Sequence, residues 1–443
     1  MPTKEELKAS VCREIDARRE DIINVAETIL RNPEPGFKEF KTSALVDRKF
    51  TELGIPHQTG IAITGVKGVM SGGAGAGPTV GVMGELDSLI IPEHPFADKM
   101  TGAAHVCGHN CQIAMMYGAA AAITKTGVLS SLAGKVAFIA VPAEEGIEMS
   151  WRDDMRKQGK LHYLGGKPEF IKVGGFDDVD MVMMTHTSSE LGEKKIASTE
   201  SFNGFIAKRV QFIGKAAHAG SAPHRGINAL NAAMIALNAI NAQRETFQDN
   251  DTVRVHFIMT KGGDVVNAVP ADVRLEGRAR AKNATAMLDA AAKIDRSLKA
   301  GAMAVGAKVK ITTIPGYMPL VTYSELWNVL KPNAEAIVGA EYIGATGHRT
   351  GSSDIGDVSQ IMPAIHPNSG GFAGTGHGAD YLVKDYEIAV INPAKIMAMT
   401  VIDLLYDNAA KANEVLAKQK PPMTKEQYLK SLDSLLKEEE FQG

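Results

Sequence analysis

The chain has 443 residues, of which 44% are hydrophobic and 22% are charged. This is the usage of a globular protein of two or three domains, and it excludes a largely disordered chain. The 48 Lys and Arg residues against 51 Asp and Glu residues give a formal net charge of −3. Because no basic field or basic-aromatic cluster is present, we expect no nucleic-acid partner.

Cysteines and apolar runs indicate the compartment. Cys12, Cys107 and Cys111 are too few for a disulfide framework in a chain of this size. The first twenty residues are charged and helical in pattern, without the apolar core of a signal peptide. The longest apolar runs, such as 136–142, are far shorter than the ~20 residues of a membrane span. We therefore expect a cytoplasmic protein with no membrane partner.

The first and last parts of the chain have an α/β pattern. An amphipathic helical stretch over 4–30 ends at the turn cluster NPEPG. Two further helical stretches alternate with four apolar runs; the helical stretches are 41–54 and 112–126, and the runs are 61–70, 79–83, 135–141 and 179–184. Helices alternating with strands predict a three-layer α/β domain with a mostly parallel sheet.

The middle of the chain has a different order of elements. Strand patterns at 205–213, 253–260, 273–281 and 308–313 and helical patterns at 228–243 and 285–304 give β-α-β-β-α-β, the ferredoxin-like split unit. We therefore predict an inserted α+β domain over 201–313, with the α/β domain formed by 1–200 and 314–443. The polar tail after residue 408 is expected to end in a solvated surface helix.

The segment HVCGHN could bind a metal ion. Cys107 and His109 can reach one centre if the backbone between them turns tightly, which Gly108 permits. Thiolate and imidazole are ligands for Zn²⁺ and its neighbours in the metal series. Taken alone, the pair is more often a buried cysteine beside a structural histidine. A redox pair of Cys107 and Cys111 is another alternative, although the spacing is not the usual redox one.

Two carboxylates follow the apolar run 135–141. Because side chains alternate along an extended chain, Glu144 and Glu145 point in different directions, so one could bind a metal ion while the other acts as a general base. Adjacent charges are otherwise usually solvated surface.

Two histidines complete this pattern: His186 follows the run 179–184, and His377 lies in the loop GTGHG. A single histidine is more often structural than a ligand. However, most of these residues lie at or just beyond predicted strand ends, where open α/β sheets place their sites. Together they predict a site for two metal ions with a shared ligand. In the inserted domain, His218, Asn267 and Arg280 could bind a carbonyl oxygen and a carboxylate, or be ordinary loop residues.

Six segments in chain order resemble the amidohydrolase branch of the family-20 metallopeptidases, which includes hydrolases of p-aminobenzoyl-glutamate, hippurate, N-acyl amino acids and auxin conjugates. These segments are GELDSL, HVCGHN, VPAEEG, GKAAHAGSAPHRGINAL, VVNAVPADVRLEGRAR and SSDIGDVSQIMP. The segments 176–180 and 353–358 are most similar to the subgroup of p-aminobenzoyl-glutamate hydrolases and dipeptidases. The resemblance extends over about residues 20–405.

The resemblance implies a catalytic domain with two divalent metal ions, Zn²⁺ or Mn²⁺, and an inserted lid domain that forms a homodimer. A hetero-oligomer with a related subunit is the alternative. The implied roles are Cys107 as bridging thiolate, His109, Glu145, His186 and His377 as further ligands, Glu144 as general base, Asp87 as the carboxylate that orients the centre, His218 as the group that polarises the carbonyl, and Asn267 and Arg280 as binders of the substrate carboxylate.

The expected function is hydrolysis of the amide bond of an N-acyl or N-aroyl amino acid, a small-molecule substrate. A metallo-dipeptidase and a non-catalytic subunit are alternatives. Four features depart from the branch pattern and leave the substrate open. Glu85 stands in place of the usual aspartate, and Gln112 stands where many relatives have histidine. Residues 187–190 lack the proline that often follows the metal-binding histidine, and the segment 148–172 is unusually long.

Overall fold

The computed structural model describes residues 2–443 and divides them into two compact units. The first unit contains the chain up to Glu200, Val321–His348 and Asp357–Pro422. The second unit contains Ser201–Leu320, Arg349–Gly356 and Met423–Gly443.

The helices, in chain order, are α1 (Lys4–Ala17), α2 (Arg19–Leu30), α3 (Phe40–Leu53), α4 (His109–Lys125), α5 (Met149–Lys157), α6 (Gly166–Lys172), α7 (Ala229–Ala242), α8 (Ala284–Val305), α9 (Ser324–Val338), α10 (Ile355–Ser359), α11 (Asn392–Lys418) and α12 (Lys425–Leu435). The strands are β1 (His57–Ile61), β2 (Gly65–Ser71), β3 (Thr79–Glu85), β4 (Leu89–Ile90), β5 (Ala103–Ala104), β6 (Lys135–Val141), β7 (Met181–Met183), β8 (His186–Thr187), β9 (Ile196–Ser198), β10 (Ser201–Phe202), β11 (Gly204–Ile213), β12 (Arg254–Lys261), β13 (Asp272–Ala281), β14 (Lys308–Pro315), β15 (Ile343–Ala345), β16 (His348–Arg349), β17 (Ala364–Ile365), β18 (Asn368–Ser369), β19 (Phe372–Ala373), β20 (Leu382–Val383) and β21 (Lys437–Gln442).

The main sheet of the first unit has the order β1-β2-β6-β3-β7-β17. Strands β6, β3, β7 and β17 run parallel to one another, whereas β2 is antiparallel to both β6 and β1. All seven residues of β3 are buried, and only Lys135 of β6 is exposed. Such continuous burial explains the unbroken apolar runs and confirms the α/β prediction. The carboxyl ends of β3, β6 and β7 meet at one edge of this sheet, where parallel sheets place their sites.

Two buried helices form the core of this unit. The helix α4 is buried from His109 to Ile123, and a Cβ atom on Gly118 would lie 3.0 Å from the Cβ atom of Ala394 on α11. The expectation that every apolar stretch is far shorter than a membrane span was wrong for Glu387–Lys418, which is long and apolar enough to cross one, but 83% of its most apolar part is buried inside the protein. It is therefore part of the core in this structure, packs against α4, and is kinked at Tyr406–Ala409, where the backbone is not helical.

The second unit is an antiparallel sheet of order β12-β13-β11-β14-β21, with α7 and α8 packed on one face. Its core contains inward-facing residues such as Val210, Phe212 and Leu275 together with alanines of the two helices. The predicted β-α-β-β-α-β order is confirmed, and each element lies within two residues of its predicted bounds.

The tail differs from the prediction of a solvated helix in the α/β domain. A helix, α12, is followed by the strand β21, which pairs with β14, so that Met423–Gly443 belongs to the second unit. Phe441 stands opposite Val309 and packs against the core of this unit. The run of glutamates concealed the alternation of a half-buried strand. The first unit resumes at Val321 rather than at residue 314.

We expect Phe441→Ala to lower the free energy of unfolding by about 1–3 kcal/mol, because it removes half-buried apolar contact from the second unit's core. The control is Glu438→Ala, on the same strand but exposed on the opposite face, with an expected change within about 0.5 kcal/mol. Urea unfolding measures both variants. Equal effects would contradict the assignment of the tail to this core.

Candidate functional site

A left-handed turn brings the first two predicted ligands together. Gly108 has φ +81° and caps the N-terminus of α4, so that Cys107 precedes the helix and His109 begins it. A Cβ atom at this position would lie 2.1 Å from Oγ1 of Thr187. Only glycine both adopts this backbone angle readily and fits into the space left by Thr187. The sulfur of Cys107 lies 3.3 Å from Nε2 of His186.

The ligand atoms form overlapping groups, each within 4.8 Å. One group contains Cys107, His109 and His186, and a second contains Cys107, Glu145 and His377. Glu144 joins His109 and Glu145 in a third group. The structure thus brings together all five predicted ligands and the predicted general base, within the first unit. Cys107 belongs to two such groups, as a ligand shared by two metal ions would, and so do His109, Glu144 and Glu145.

Asp87 orients two of these groups. Its Oδ1 atom lies 3.2 Å from Nδ1 of His109, and its carbonyl oxygen lies 2.9 Å from the same nitrogen. Its Oδ2 atom accepts the backbone N–H of Glu145 at 2.9 Å. With Nδ1 occupied in this way, Nε2 of His109 is the ring atom available to a metal ion, which is the usual carboxylate–histidine arrangement around metals.

The charges at the site favour cations. Burial raises the pKa of Glu145 to about 7, and burial together with the charge of Glu145 raises the pKa of the Cys107 thiol well above its usual range. Burial opposes protonation of His109, but the neighbouring Glu85 and Cys107 raise its pKa well above the usual range. The cluster therefore binds protons strongly, and a divalent cation competes for the same atoms.

The donor atoms fit a metal centre. Oε1 of Glu145 is buried and has no hydrogen-bond partner within residues 2–443. Nε2 of His109 faces Oε2 of Glu85 at 3.1 Å as an ion pair without hydrogen-bond geometry. Unsatisfied buried polar atoms are costly unless a ligand satisfies them. The thiolate, imidazole and carboxylate set matches the donors that Zn²⁺ and Mn²⁺ accept.

A buried ion pair beside the cluster was missed by the sequence analysis. Lys167 Nζ lies 2.5 Å from Oε1 of Glu85, and both side chains are fully buried. Gln112 donates to Oε2 of Glu85 at 2.8 Å. The two departures from the branch pattern are thus hydrogen-bonded to each other. The unusual length of the segment 148–172 was the only signal for Lys167, because a lysine within it is not distinctive.

Three predicted residues belong to the second unit. His218 and Ala268 form an isolated antiparallel bridge, and Ala219 donates its backbone N–H to the carbonyl oxygen of Asn267. Nδ1 of His218 accepts the N–H groups of Gly220 and Ser221, so the neutral ring carries its proton on Nε2. On β13, Arg280 donates to Oγ of Ser352 at 2.9 Å. The roles of His218, Asn267 and Arg280 stay predictions.

Comparison with curated proteins finds hydrolases. The chain is 30% identical to Xaa-Arg dipeptidase of Homo sapiens over 326 residues, which cover 70% of this chain and 68% of the relative. It is 26% identical to N-acyl-L-amino acid amidohydrolase of Geobacillus stearothermophilus over 329 residues, which cover 73% of this chain and 82% of the relative.

Two solved structures share the fold. The Bacillus subtilis YXEP protein, described as a dinuclear metal binding peptidase from the M20 family, aligns with a TM-score of 0.68 and 20% identity, covering 88% of this chain and 99% of that one. The aminobenzoyl-glutamate utilization protein from Klebsiella pneumoniae aligns with a TM-score of 0.68 and 17% identity, covering 89% and 98%.

Residues 201–304 match the peptidase dimerisation domain of the M20 family, and this match begins where the inserted domain was predicted to begin. The fold class, the resemblance and the enzyme class predicted from the sequence are therefore confirmed. The chain belongs to the M20 family of metal-dependent peptidases and amidohydrolases.

Proposed function

We propose that this enzyme hydrolyses the amide bond of an N-acyl or N-aroyl amino acid with a free carboxylate, a substrate like p-aminobenzoyl-glutamate. The observation that carries the proposal is the pair of ligand groups that share Cys107, with the carboxylate of Glu144 beside them. The names of the bacterial amidohydrolase and of the aminobenzoyl-glutamate protein support this substrate class.

In this proposal, Cys107, His109 and His186 would hold one divalent ion, and Cys107, Glu145 and His377 would hold the other. The thiolate favours Zn²⁺, whereas the carboxylate and imidazoles also suit Mn²⁺. When bound, such ions lower the pKa of water and polarise a carbonyl oxygen.

The chain's own residues carry the proton and hold the substrate. Glu144, which is buried, takes a proton from the attacking water and delivers it to the leaving amine. The Nε2–H group of His218 stabilises the negative charge that develops on the carbonyl oxygen. Asn267 and Arg280 bind the free carboxylate, for which the planar guanidinium of Arg280 is suited.

A metallo-dipeptidase is the second candidate function. It is favoured by the 30% identity to Xaa-Arg dipeptidase, and the same residues serve both reactions because both break a linear amide bond. The two candidates differ in the group that the enzyme accepts on the acyl side of the bond: an acyl or aroyl group in the first, and an amino acid residue in the second.

We further propose that the enzyme is a homodimer formed through the second unit, since this unit matches the dimerisation domain. The strand β21 covers the β14 edge of its sheet and leaves β12 as the other edge. Two apolar side chains of β12, Ile258 and Met259, are 53% and 40% exposed. An edge strand with exposed apolar groups is suited to pairing with a second copy.

Light scattering should show a dimer for the wild type and a monomer for Ile258→Asp, because the new charge would be buried at the paired edge. The control Met303→Asp, at an exposed position on α8, should remain dimeric. If the chain is found to pair with a different, related subunit instead of a second copy of itself, the homodimer proposal is contradicted.

Hydrolysis is tested by a mass-spectrometric screen with added Mn²⁺ or Zn²⁺ over N-acyl amino acids, p-aminobenzoyl-glutamate and dipeptides, including Xaa-Arg. We expect cleavage of the acyl amino acids by the wild type. Glu144→Gln should keep the metal and the fold while turnover falls by about 10²–10⁴. Cleavage of dipeptides only would favour the second candidate, and equal turnover by Glu144→Gln would contradict the role of Glu144.

The metal site is tested by substitution of its glycine. Gly108→Ala should lose most of the bound metal, measured by elemental analysis after gel filtration, because its methyl group collides with Thr187 and displaces Cys107 and His109. Gly54→Ala is the matched control, since Gly54 has φ +76° with nothing within 4 Å of a new Cβ atom. It should cost about 1 kcal/mol of stability and keep the metal. Equal metal content in the two variants would contradict the proposed ligands.

A further inference from the structure

The carboxylate pair Glu144–Glu145 follows a strained backbone position. Ala143, which precedes the pair, has φ +52° and is fully buried. This left-handed conformation is unfavourable for a residue with a Cβ atom. Such a conformation persists only where the surroundings hold it, and it occurs often at functional sites.

A buried carboxylate holds this position. Oε1 of Glu39 accepts the backbone N–H of Ala143 at 2.8 Å, and Oε2 of Glu39 accepts the hydroxyl of Thr64 at 2.6 Å. Glu39 is 0% exposed. The carbonyl oxygen of Ala143 accepts the N–H of Gly166 at 3.0 Å. Both polar backbone groups of Ala143 therefore have partners.

The other end of the bend is held in the same way, because Asp87 accepts the N–H of Glu145 at 2.9 Å. Close packing restricts the bend between these two points. A Cβ atom on Gly36 would lie 2.8 Å from Cα of Ala143, and one on Gly166 would lie 1.6 Å from the carbonyl oxygen of Pro142. Two buried carboxylates and two glycines thus surround residues 142–145.

We propose that Glu39 is a positioning residue, which holds Ala143 in its left-handed conformation so that Glu144 and Glu145 both reach the metal cluster. The inference rests on the proposed roles of Glu144 as base and Glu145 as ligand. Glu39 acts through the backbone of Ala143 and makes no contact with the substrate in this proposal. Its sequence context, PGFKEF, contains no signal for such a role.

The test compares variants of the metal-loaded enzyme. Glu39→Gln keeps a carbonyl oxygen for the N–H of Ala143 and an amide that can donate to Thr64, so its kcat should stay within about threefold of the wild type. In Glu39→Leu, the leucine side chain is similar in size to glutamate but has no hydrogen-bond acceptor for the N–H of Ala143. The kcat of this variant should fall by about 10–100-fold with KM nearly unchanged, and the variant should release metal to a chelator at least tenfold faster.

A second substitution, Ala143→Gly, distinguishes a positioning role of Glu39 from a merely structural one. Glycine adopts φ +52° without steric cost, so Ala143→Gly should restore kcat and metal retention at least fivefold in Glu39→Leu while changing the wild type little. If Glu39→Leu does not fold, Glu39→Asp takes its place, since its shorter side chain cannot reach both partners. In that background the same rescue by Ala143→Gly is expected.

Wild-type kcat and metal retention in Glu39→Leu, or no rescue by Ala143→Gly in a folded variant, would overturn the proposal. Chelator-induced metal release is measured without substrate, so it tests the inference even if the wild type cleaves no amide. Absence of cleavage by a wild type that retains metal would count against the proposed function, whereas equal metal release by all variants would count against Glu39.

Discussion

The burial of four carboxylates at one edge of a parallel sheet is the constraint on which the site depends. Glu85, Asp87, Glu144 and Glu145 lie at or beyond the ends of β3 and β6, and all four are buried. Burying such groups is costly unless hydrogen bonds, ion pairs or metal ions compensate the charge. Much of the surrounding structure supplies this compensation.

Three of these carboxylates, Glu85, Asp87 and Glu145, meet the constraint differently. Glu85 is neutralised by Lys167 and accepts a hydrogen bond from Gln112. Asp87 accepts the N–H of Glu145 and lies beside His109. Glu145 keeps an unsatisfied buried oxygen in the part of the chain that the structure describes, at the place where the proposed metal ions would bind. The unusual segment 148–172 thus contributes directly to the site, because it supplies Lys167.

Backbone conformation matters as much as charge. The thiolate and imidazole of the HVCGHN segment converge because Gly108 adopts a left-handed turn that leaves no room for a side chain. The carboxylate pair depends on a similar conformation at Ala143, where no glycine is present and a hydrogen bond from the backbone to Glu39 holds the bend. The glycine itself indicates the left-handed angle of the first turn, although the lack of space there comes from Thr187, whereas the second turn needs Glu39 to hold it.

The sequence by itself determined the fold class, the inserted domain and the types of side chain at the candidate site, because these depend on local periodicity and on motifs of a few residues. The sequence was insufficient for the tail, because the glutamates of β21 hide the alternation of a strand. Which residues of β21 face inward becomes clear only from their pairing with Val309 and Ile311 of β14. Only the tertiary structure decided which carboxylates share a hydrogen bond or an ion pair. Lys167 and Glu85 are 82 residues apart, and Glu39 and Ala143 are 104 apart. Such pairs form when folding brings distant segments into contact, and the segments themselves carry no local pattern that indicates it.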